Sequence, residues 1–345
     1  MSVDAFLSKL PPAFAKQVTM AREVETHRLP LYSKGLTKDL GGGIARGRVC
    51  LIHGDPSAGK SALVLQSIAQ WQKDDLVCAF IDVEGTFDKT WAESLGVDTS
   101  KLIVQRTAKS SGKVERDTIP LIQADIDVIV IDSISDIAPE AFVNDEGELK
   151  DQDGRKQIGA HAKAITALIS AIHYYNENTA IILISQDTTN FGQTYVEMVP
   201  HGGKKTQFNS SQIIRLKSSK ADSNFIKGQV MVAGNPVEKL VGRKVQYIIT
   251  KNKLGPVKGT GEWHFYYDGG FVGIDAAQEL LSMAMRYGIV NKKGAWFYYG
   301  EEKYQGEKNL ISSLRHDDDL RAAVSADIDL AETKTLGEED SDDEN

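Results

Sequence analysis

Residues 48–61 read RVCLIHGDPSAGKS, an apolar run typical of a β-strand followed by a glycine-rich turn and the start of a helical segment. Residues 54–61 fit the pattern G-x-x-x-x-G-K-[ST], whose glycines allow backbone angles and close contacts that larger residues would block. The backbone N–H groups of such a loop, with the positive end of the following helix, bind phosphate oxygens. We therefore predict a phosphate-binding loop formed by Gly54, Asp55, Pro56, Ser57, Ala58, Gly59, Lys60, Ser61 and Ala62.

Two side chains of this loop indicate the ligand. Lys60 stands where the lysine of such loops contacts the β- and γ-phosphates, and Ser61 stands where a hydroxyl binds Mg²⁺. The pattern therefore predicts ATP and Mg²⁺ as cofactors. A glycine turn with no ligand is the alternative, and the strand before the loop and the helix after it argue against that alternative.

The chain around the loop alternates strand and helix signals. Apolar runs at 76–81, 127–131 and 180–185 suit buried parallel strands, and helical periodicity covers about 60–73 and 156–176. Further β-rich runs follow near 212–216, 244–250 and 262–267. This alternation predicts an α/β fold with a mainly parallel central sheet. The composition shifts after residue 270, and residues 271–328 are predicted to form a small α+β C-terminal domain.

Charge is unevenly distributed along the 345 residues, which carry a net charge of −8. Residues 317–345 hold 12 acidic and 2 basic side chains, whereas residues 201–258 hold 12 basic and 2 acidic ones. We predict that residues 329–345 form a disordered acidic tail, with a solubilising or a regulatory role. The basic stretch indicates either a solvated face or a contact with nucleic acid.

The cysteines and the apolar runs exclude several classes of protein. Cys50 and Cys78 are the only two cysteines, and each lies in an apolar run, so we predict free thiols and a reducing, cytoplasmic setting. No Cys/His cluster has the spacing of a zinc site. No apolar run approaches the ~20 residues that cross a bilayer, so we predict no membrane partner.

Two carboxylates are predicted to complete the phosphate site. Asp132 ends the run DVIVID, where it can hold a Mg²⁺-bound water; a helix cap is the alternative. Glu84 follows the run AFIDV, and ligands of an open parallel sheet lie beyond the carboxyl ends of its strands. We therefore place Glu84 beside the γ-phosphate as the residue that polarises the attacking water, with a solvated turn carboxylate as the alternative. Asp82, one pleat earlier, is a weaker candidate.

Residues 45–325 resemble the RecA family of recombinases, including its phage members of the UvsX type. The matching segments occur in the family's order: GDPSAGKS, FIDVEGTFD at 80–88, LGVD at 95–98, VIVIDSISDIAP at 128–139, IILISQD at 181–187, TKNKLGPVKG at 250–259 and KKGAWFYYGEEKYQGEKN at 292–309. The resemblance implies a RecA-like P-loop NTPase core at residues 31–270. It also implies a short N-terminal helical polymerisation arm at residues 1–30.

The resemblance assigns further roles around the nucleotide. Gln186 matches the glutamine that senses the γ-phosphate and relays its presence to a DNA-binding loop. Lys251 and Lys253 match a lysine pair that reaches the neighbouring subunit's ATP; from the residues alone, a solvated strand face is the alternative. Trp91 matches an aromatic residue stacked on adenine, with Asp88 nearby, and a core tryptophan is the alternative. Glu84, Lys60, Gln186, Lys251 and Lys253 are thus the predicted catalytic set.

The resemblance also implies DNA-binding and oligomer contacts. The first DNA loop corresponds to residues 139–158 and is longer and more acidic than usual, so its phosphate contacts are predicted at Arg155, Lys156 and the nearby Lys163. The second loop corresponds to residues 187–205, where Phe191 and Tyr195 can stack on bases and Lys204 and Lys205 can bind phosphates. An ordinary surface loop is the alternative. Phe6, Phe14 and Phe208 are the predicted oligomer contacts beside Lys251 and Lys253.

Together these features predict an ATP-dependent DNA recombinase. Such a protein polymerises on single-stranded DNA, hydrolyses ATP under stimulation by that DNA, and exchanges strands with a homologous duplex. Its expected partners are single-stranded DNA, homologous duplex DNA, further copies of itself, and single-strand-binding and loader proteins. Its expected location is the cytoplasm of a bacterium or of a phage-infected host. A replicative helicase motor on the same core and a non-catalytic paralogue that stabilises filaments are the alternatives.

Overall fold

The computed structural model describes residues 3–15, 18, 20–21, 25–106, 109–142, 157–189, 198–218, 221–232, 234–255, 259–268 and 270–342. The helices of these residues are α1 (Val3–Leu7), α2 (Pro12–Ala15), α3 (Lys34–Asp39), α4 (Lys60–Trp71), α5 (Lys89–Ser94), α6 (Ser111–Gln123), α7 (Gln157–Tyr175), α8 (Gly203–Asn209), α9 (Ala276–Arg286), α10 (Glu307–His316) and α11 (Asp318–Asp342). The strands are β1 (Arg28–Leu29), β2 (Ile44–Ala45), β3 (Val49–Gly54), β4 (Cys78–Asp82), β5 (Leu102–Arg106), β6 (Val128–Asp132), β7 (Ala180–Thr189), β8 (Met198–Pro200), β9 (Gln212–Lys217), β10 (Phe225–Val232), β11 (Asn235–Asn252), β12 (Thr260–Tyr266), β13 (Gly273–Ile274), β14 (Val290–Lys293), β15 (Trp296–Tyr299) and β16 (Glu302–Gln305).

The central sheet contains eleven strands within the described residues. Six of them run parallel in the order β9-β3-β7-β6-β4-β5. Strands β11, β12 and β13 continue the sheet antiparallel beyond β9, while β10 pairs with β11 and β8 with β7. The predicted α/β fold with a mainly parallel sheet is confirmed.

Helices cover both faces of this sheet, as the fully buried strands β3, β4 and β6 require. Ile52 packs into one core with Leu63 of α4, whereas Leu51 packs into a second core with Ile169 of α7. Successive residues of a strand therefore serve opposite cores. This alternation determines which side chains at the strand ends face the phosphate loop.

The C-terminal domain is an antiparallel sheet of β14, β15 and β16 packed on α9, α10 and α11. Its core includes Leu281, Phe297, Leu310, Val324 and Ile328. A small α+β domain is the architecture that the sequence predicts for this region.

Helix α11 continues through residue 342, where the sequence predicts a disordered tail from residue 329. The physical reason lies at the predicted boundary, because Ile328 is buried and Asp329 accepts a hydrogen bond from Lys34 Nζ at 2.8 Å. Leu330, Ala331, Glu332 and Lys334 follow and favour a helix that has already begun, while Thr333, Thr335 and Gly337, of lower propensity, lie within the same helix.

The N-terminal segment forms two short helices, α1 and α2, on either side of Pro11. Phe6 and Phe14 expose about half of their surface, 52% and 53%. No helix in the described ranges is long and apolar enough to span a membrane. Cys50 and Cys78 are free and buried, and burial raises the pKa of both thiols to about 12.

Candidate functional site

The phosphate loop begins where β3 ends and is shaped by two glycines with positive φ angles. Gly54 has a φ of 147°, and a Cβ there would lie 1.9 Å from the carbonyl oxygen of Leu216, so no other residue fits. Gly59 has a φ of 83° and caps α4 without any side-chain hydrogen bond to the helix. The first N–H groups of α4 are thus directed into the loop, where an anion can accept them.

Lys60 lies inside the loop. Its Nζ donates to the carbonyl oxygens of Gly54 at 3.0 Å and Asp55 at 2.9 Å. Burial lowers the pKa of Lys60, and the nearby carboxylates, Asp132 first among them, oppose that shift. The ammonium group is therefore held at the centre of the loop.

Ser61 and Asp132 place two oxygen atoms side by side next to Lys60. Ser61 Oγ donates to Asp132 Oδ2 at 2.5 Å. Burial raises the pKa of Asp132 to about 6, and the hydrogen bond from Ser61 partly offsets that rise. A hydroxyl and a carboxylate fit Mg²⁺, which takes one or two protein oxygens and completes its shell with water and phosphate oxygens. Within the described residues, no group of three or more His, Cys, Asp or Glu could hold a metal alone.

Glu84 and Gln186 meet at the same end of the sheet. Gln186 Nε2 donates to Glu84 Oε1 at 3.3 Å, although the two residues belong to different strand ends. The backbone N–H groups of Gly85, Thr86 and Phe87 donate to the carboxylate of Asp82 at 2.9, 3.0 and 3.1 Å. Asp82 therefore shapes the turn that presents Glu84.

A cleft of about 410 Å³ unites most of the predicted nucleotide residues. It is lined by Pro56, Ser57, Ala58, Gly59, Lys60, Ser61, Ala62, Glu84, Trp91, Asp132 and Gln186, and also by Ser133, Ile184 and Phe265. The sequence did not predict the last three. The alternation of EWHFYY assigns Phe265 to one face of a strand, but only the tertiary fold brings that strand to the loop.

Asp88 has a structural function at this site. Its carboxylate caps α5 by accepting the Trp91 N–H at 2.7 Å. Its predicted contact with the nucleotide stays a prediction.

Lys251 and Lys253 lie at the other end of the sheet, next to Phe208. Lys251 Nζ donates to the carbonyl oxygens of Gln207 and Phe208 at 2.5 and 3.0 Å, and Lys253 Nζ donates to that of Phe208 at 3.2 Å. Both ammonium groups thus cap the carboxyl end of α8. The Phe208 residue itself is 68% exposed.

The register of the sheet separates this lysine pair from the phosphate loop of its own chain. Gln212 of β9 pairs with Asn252 and with Cys50, whereas Gly54 pairs with Leu216. Four residues along a strand span about 13 Å. A contact between these lysines and a nucleotide therefore needs a second subunit.

Part of the predicted DNA surface lies outside the described residues. Arg155, Lys156, Phe191 and Tyr195 belong to this part. Lys163 on α7 and Lys204 and Lys205 on α8 are exposed. The two helices begin side by side, because a Cβ on Gly203 would lie 3.4 Å from that of Ala162. Lys163 thus follows one member of this contact in the chain, and Lys204 and Lys205 follow the other.

The fold and the cleft define an α/β protein with a P-loop at the carboxyl edge of a parallel sheet. Comparison with known proteins narrows this class. The family model described as RecA N-terminal domain matches residues 3–272, and that described as RecA C-terminal domain matches residues 278–331. The chain therefore belongs to the RecA family, which confirms the resemblance found in the sequence.

Individual relatives match over nearly the whole chain. Protein RecA of Thermus aquaticus is 33% identical over 335 residues, which cover 95% of this chain and 93% of that protein. Protein RecA of Thermus thermophilus is 34% identical over 304 residues, covering 87% and 84%. Protein RecA of Azospirillum lipoferum is 31% identical over 337 residues, covering 95% and 88%.

Proposed function

We propose that this RecA-type recombinase polymerises on single-stranded DNA, hydrolyses ATP under stimulation by that DNA, and exchanges strands with a homologous duplex. One observation carries the proposal. Gln186 lies in the nucleotide cleft, hydrogen-bonded to Glu84, on β7, the strand that continues into the segment 187–205. A residue in that position can link the state of the nucleotide to a loop on the surface.

The cleft residues divide the chemistry of ATP hydrolysis among them. The N–H groups of the loop and Lys60 would hold the β- and γ-phosphates, and Ser61 and Asp132 would hold Mg²⁺. When bound, Mg²⁺ neutralises charge that develops on the phosphate oxygens. Glu84 would accept a hydrogen bond from the attacking water and polarise it. The hydrolysis step then depends on how Glu84 and Gln186 are held.

The lysine pair supports a filament in which each ATP lies between two subunits. Lys251 and Lys253 are remote from their own cleft, so their proposed contact with phosphate is made in the neighbouring subunit. Exposed Phe208 lies beside them, and exposed Phe6 and Phe14 on the N-terminal arm provide a second apolar contact. A head-to-tail contact of this kind generates an open helical polymer.

The proposed DNA partners are a single strand and a homologous duplex. Lys163, Lys204 and Lys205 would contact phosphates, and such contacts do not depend on base sequence. ATP and Mg²⁺ are the proposed cofactors, and the cytoplasm is the proposed location. Single-strand-binding and loader proteins are proposed as further partners.

Strand exchange is the experiment that tests this proposal. Circular single-stranded DNA is mixed with linear duplex, Mg²⁺ and ATP, and joint molecules are measured by gel electrophoresis. We expect joint molecules with homologous duplex and none with heterologous duplex or with the Lys60→Ala variant. Unwinding of a forked duplex without pairing would instead support a helicase motor. Joint-molecule formation only in the presence of another active recombinase would support a non-catalytic paralogue.

A further inference from the structure

A largely buried polar trio lies directly behind Gln186, on the face of the sheet opposite the nucleotide cleft. The ring of His53 shares a hydrogen bond between Nδ1 and Asp187 Oδ1 at 2.6 Å. Arg215 Nε donates to Asp187 Oδ2 at 3.0 Å, and Arg215 Nη2 lies 2.8 Å from the same oxygen. The Asp187 side chain is only 1% exposed.

The register of the sheet explains why the three side chains meet. His53 of β3 pairs with Ser185 of β7 on one side and with Arg215 of β9 on the other. Asp187 lies two residues beyond Ser185 and therefore on the same face. One carboxylate thus connects three adjacent strands at their carboxyl ends.

Two of the three strands in this trio lead into segments of the proposed nucleotide and DNA sites. His53 immediately precedes Gly54, the first residue of the phosphate loop. Asp187 immediately follows Gln186 and pairs with Pro200, so it forms the base of the β7–β8 hairpin that encloses residues 190–197. The trio therefore connects the phosphate loop with the hairpin that carries the proposed second DNA loop.

Stability alone does not explain charged residues at these positions. The same face of these three strands is filled one pleat earlier by Leu51, Leu183 and Ile213. A buried ion pair such as that of Asp187 and Arg215 adds little or nothing to stability compared with apolar residues of similar size. Burial acts to raise the pKa of Asp187, but the hydrogen bond from His53 and the charge of Arg215 outweigh it and lower that pKa. The aspartate is therefore held as a carboxylate.

We propose that Asp187, clamped by His53 and Arg215, is a positioning residue that keeps Gln186 and the base of the β7–β8 hairpin in a fixed register with the phosphate loop. Through this clamp, the nucleotide in the cleft sets the DNA affinity of the second loop. The inference deepens the proposed function and rests on it. It differs from a structural role because it predicts a loss of coupling without a loss of nucleotide binding.

The test uses the full-length chain and measures single-stranded DNA affinity by fluorescence anisotropy, with a slowly hydrolysed ATP analogue and with ADP. The ratio of the two affinities is the coupling. We expect Asp187→Asn to reduce this ratio at least tenfold, roughly the size of a typical coupling between two sites. The affinity for the ATP analogue should change by less than about threefold. Arg215→Lys, which keeps the charge but not the two-pronged contact, should reduce the ratio by a smaller factor. This variant also carries the test if circular dichroism shows that Asp187→Asn is unfolded.

Asp127→Asn is the matched control. Asp127 forms an ion pair with Arg46 at 2.7 Å near the amino end of the same sheet, far from the cleft. Its loss should leave the coupling ratio within twofold of wild type. A wild-type ratio near one would overturn the proposed function itself. A normal wild-type ratio that Asp187→Asn and Arg215→Lys retain would overturn only the role of the clamp.

Discussion

At the scale of single residues, the cleft is organised by hydrogen bonds among its own side chains. Lys60 donates to loop carbonyls, Ser61 donates to Asp132, and Gln186 donates to Glu84. Each of these bonds occupies a group that the proposed ATP and Mg²⁺ would use. Binding of the proposed ligands would thus exchange one set of hydrogen bonds for another.

The role of Glu84 can be tested by a substitution that preserves its shape. Glu84→Gln keeps an oxygen that can accept a hydrogen bond from Gln186 but removes the negative charge that is proposed to polarise water. We expect the rate of ATP hydrolysis to fall by roughly 10²- to 10⁴-fold, with ATP affinity within about threefold of wild type. Phosphate release and equilibrium binding of a fluorescent ATP analogue measure the two quantities. An equal loss of binding and turnover would contradict the assignment of Glu84 as the catalytic residue.

At the scale of elements, one end of the sheet carries the phosphate loop and the other end carries the lysine pair. The two ends of a single chain cannot serve one nucleotide, because the pairing of β3 with β9 keeps them apart. Successive subunits in a head-to-tail polymer can bring the two ends together. In the proposed filament, the sheet would thus separate two half-sites that only assembly can combine.

Mixing two inactive variants tests this division of the site. Lys60→Ala and Lys251→Ala should each have low ATPase activity on single-stranded DNA. In an equal mixture, an intact phosphate loop meets an intact lysine pair at about a quarter of the interfaces, so about a quarter of wild-type activity should return. Lys239→Ala, at an exposed position on β11, is the control that should keep full activity alone. A mixture no more active than its components would contradict a shared site.

At the scale of the whole molecule, a buried carboxylate joins the core to the C-terminal domain. Glu279 of α9 accepts from Ser33 Oγ at 2.6 Å and from the Gly35 N–H at 3.2 Å, both next to or in α3. Its Oε2 atom is buried and has no hydrogen-bond partner among the described residues. Burial raises the pKa of Glu279 to about 7, against which the bond from Ser33 acts only in part. The joint is therefore most stable when this side chain is neutral.

The sign of the pH dependence follows from this shift. The folded chain retains the Glu279 proton up to about pH 7, whereas the unfolded chain loses it near pH 4.3, the ordinary value for glutamate. Stability should therefore fall as pH rises between these two values and level off above the higher one. Glu279→Gln removes this cost and should raise the free energy of unfolding by about 1–3 kcal/mol at pH 8, with a smaller difference at pH 5. Urea unfolding, followed by tryptophan fluorescence at pH 5 and pH 8, measures the free energy of unfolding.

The control for this prediction is Glu301→Gln, an exposed glutamate in the turn after β15. This substitution should not shift the midpoint of urea unfolding, at pH 5 or at pH 8, by more than the experimental error. A wild-type chain as stable at pH 8 as at pH 5, with no gain from Glu279→Gln, would contradict a neutral Glu279 at the joint.

Local signals in the sequence predict the phosphate loop and the buried parallel strands, because each is set by a contiguous run of residues. The clamp at Asp187 could not be predicted in this way, since it depends on the register between three strands that are distant in sequence. The sequence also does not reveal α6, because Pro120 argues against a helix. The structure accommodates this proline on the exposed side of α6, where water can satisfy the carbonyl group that loses its donor. Local sequence patterns thus do not predict the register between strands that are distant in sequence, or which side chains are exposed to solvent.

We propose that nucleotide turnover is coupled to a polymer on single-stranded DNA. The most direct measurement is the rate of ATP hydrolysis as a function of protein concentration, with single-stranded DNA, with duplex DNA and without DNA, using Lys60→Ala as the blank. We expect strong stimulation by the single strand, weak stimulation by the duplex, and a cooperative rise of the rate with protein concentration. Turnover that is independent of DNA and linear in protein concentration would contradict it.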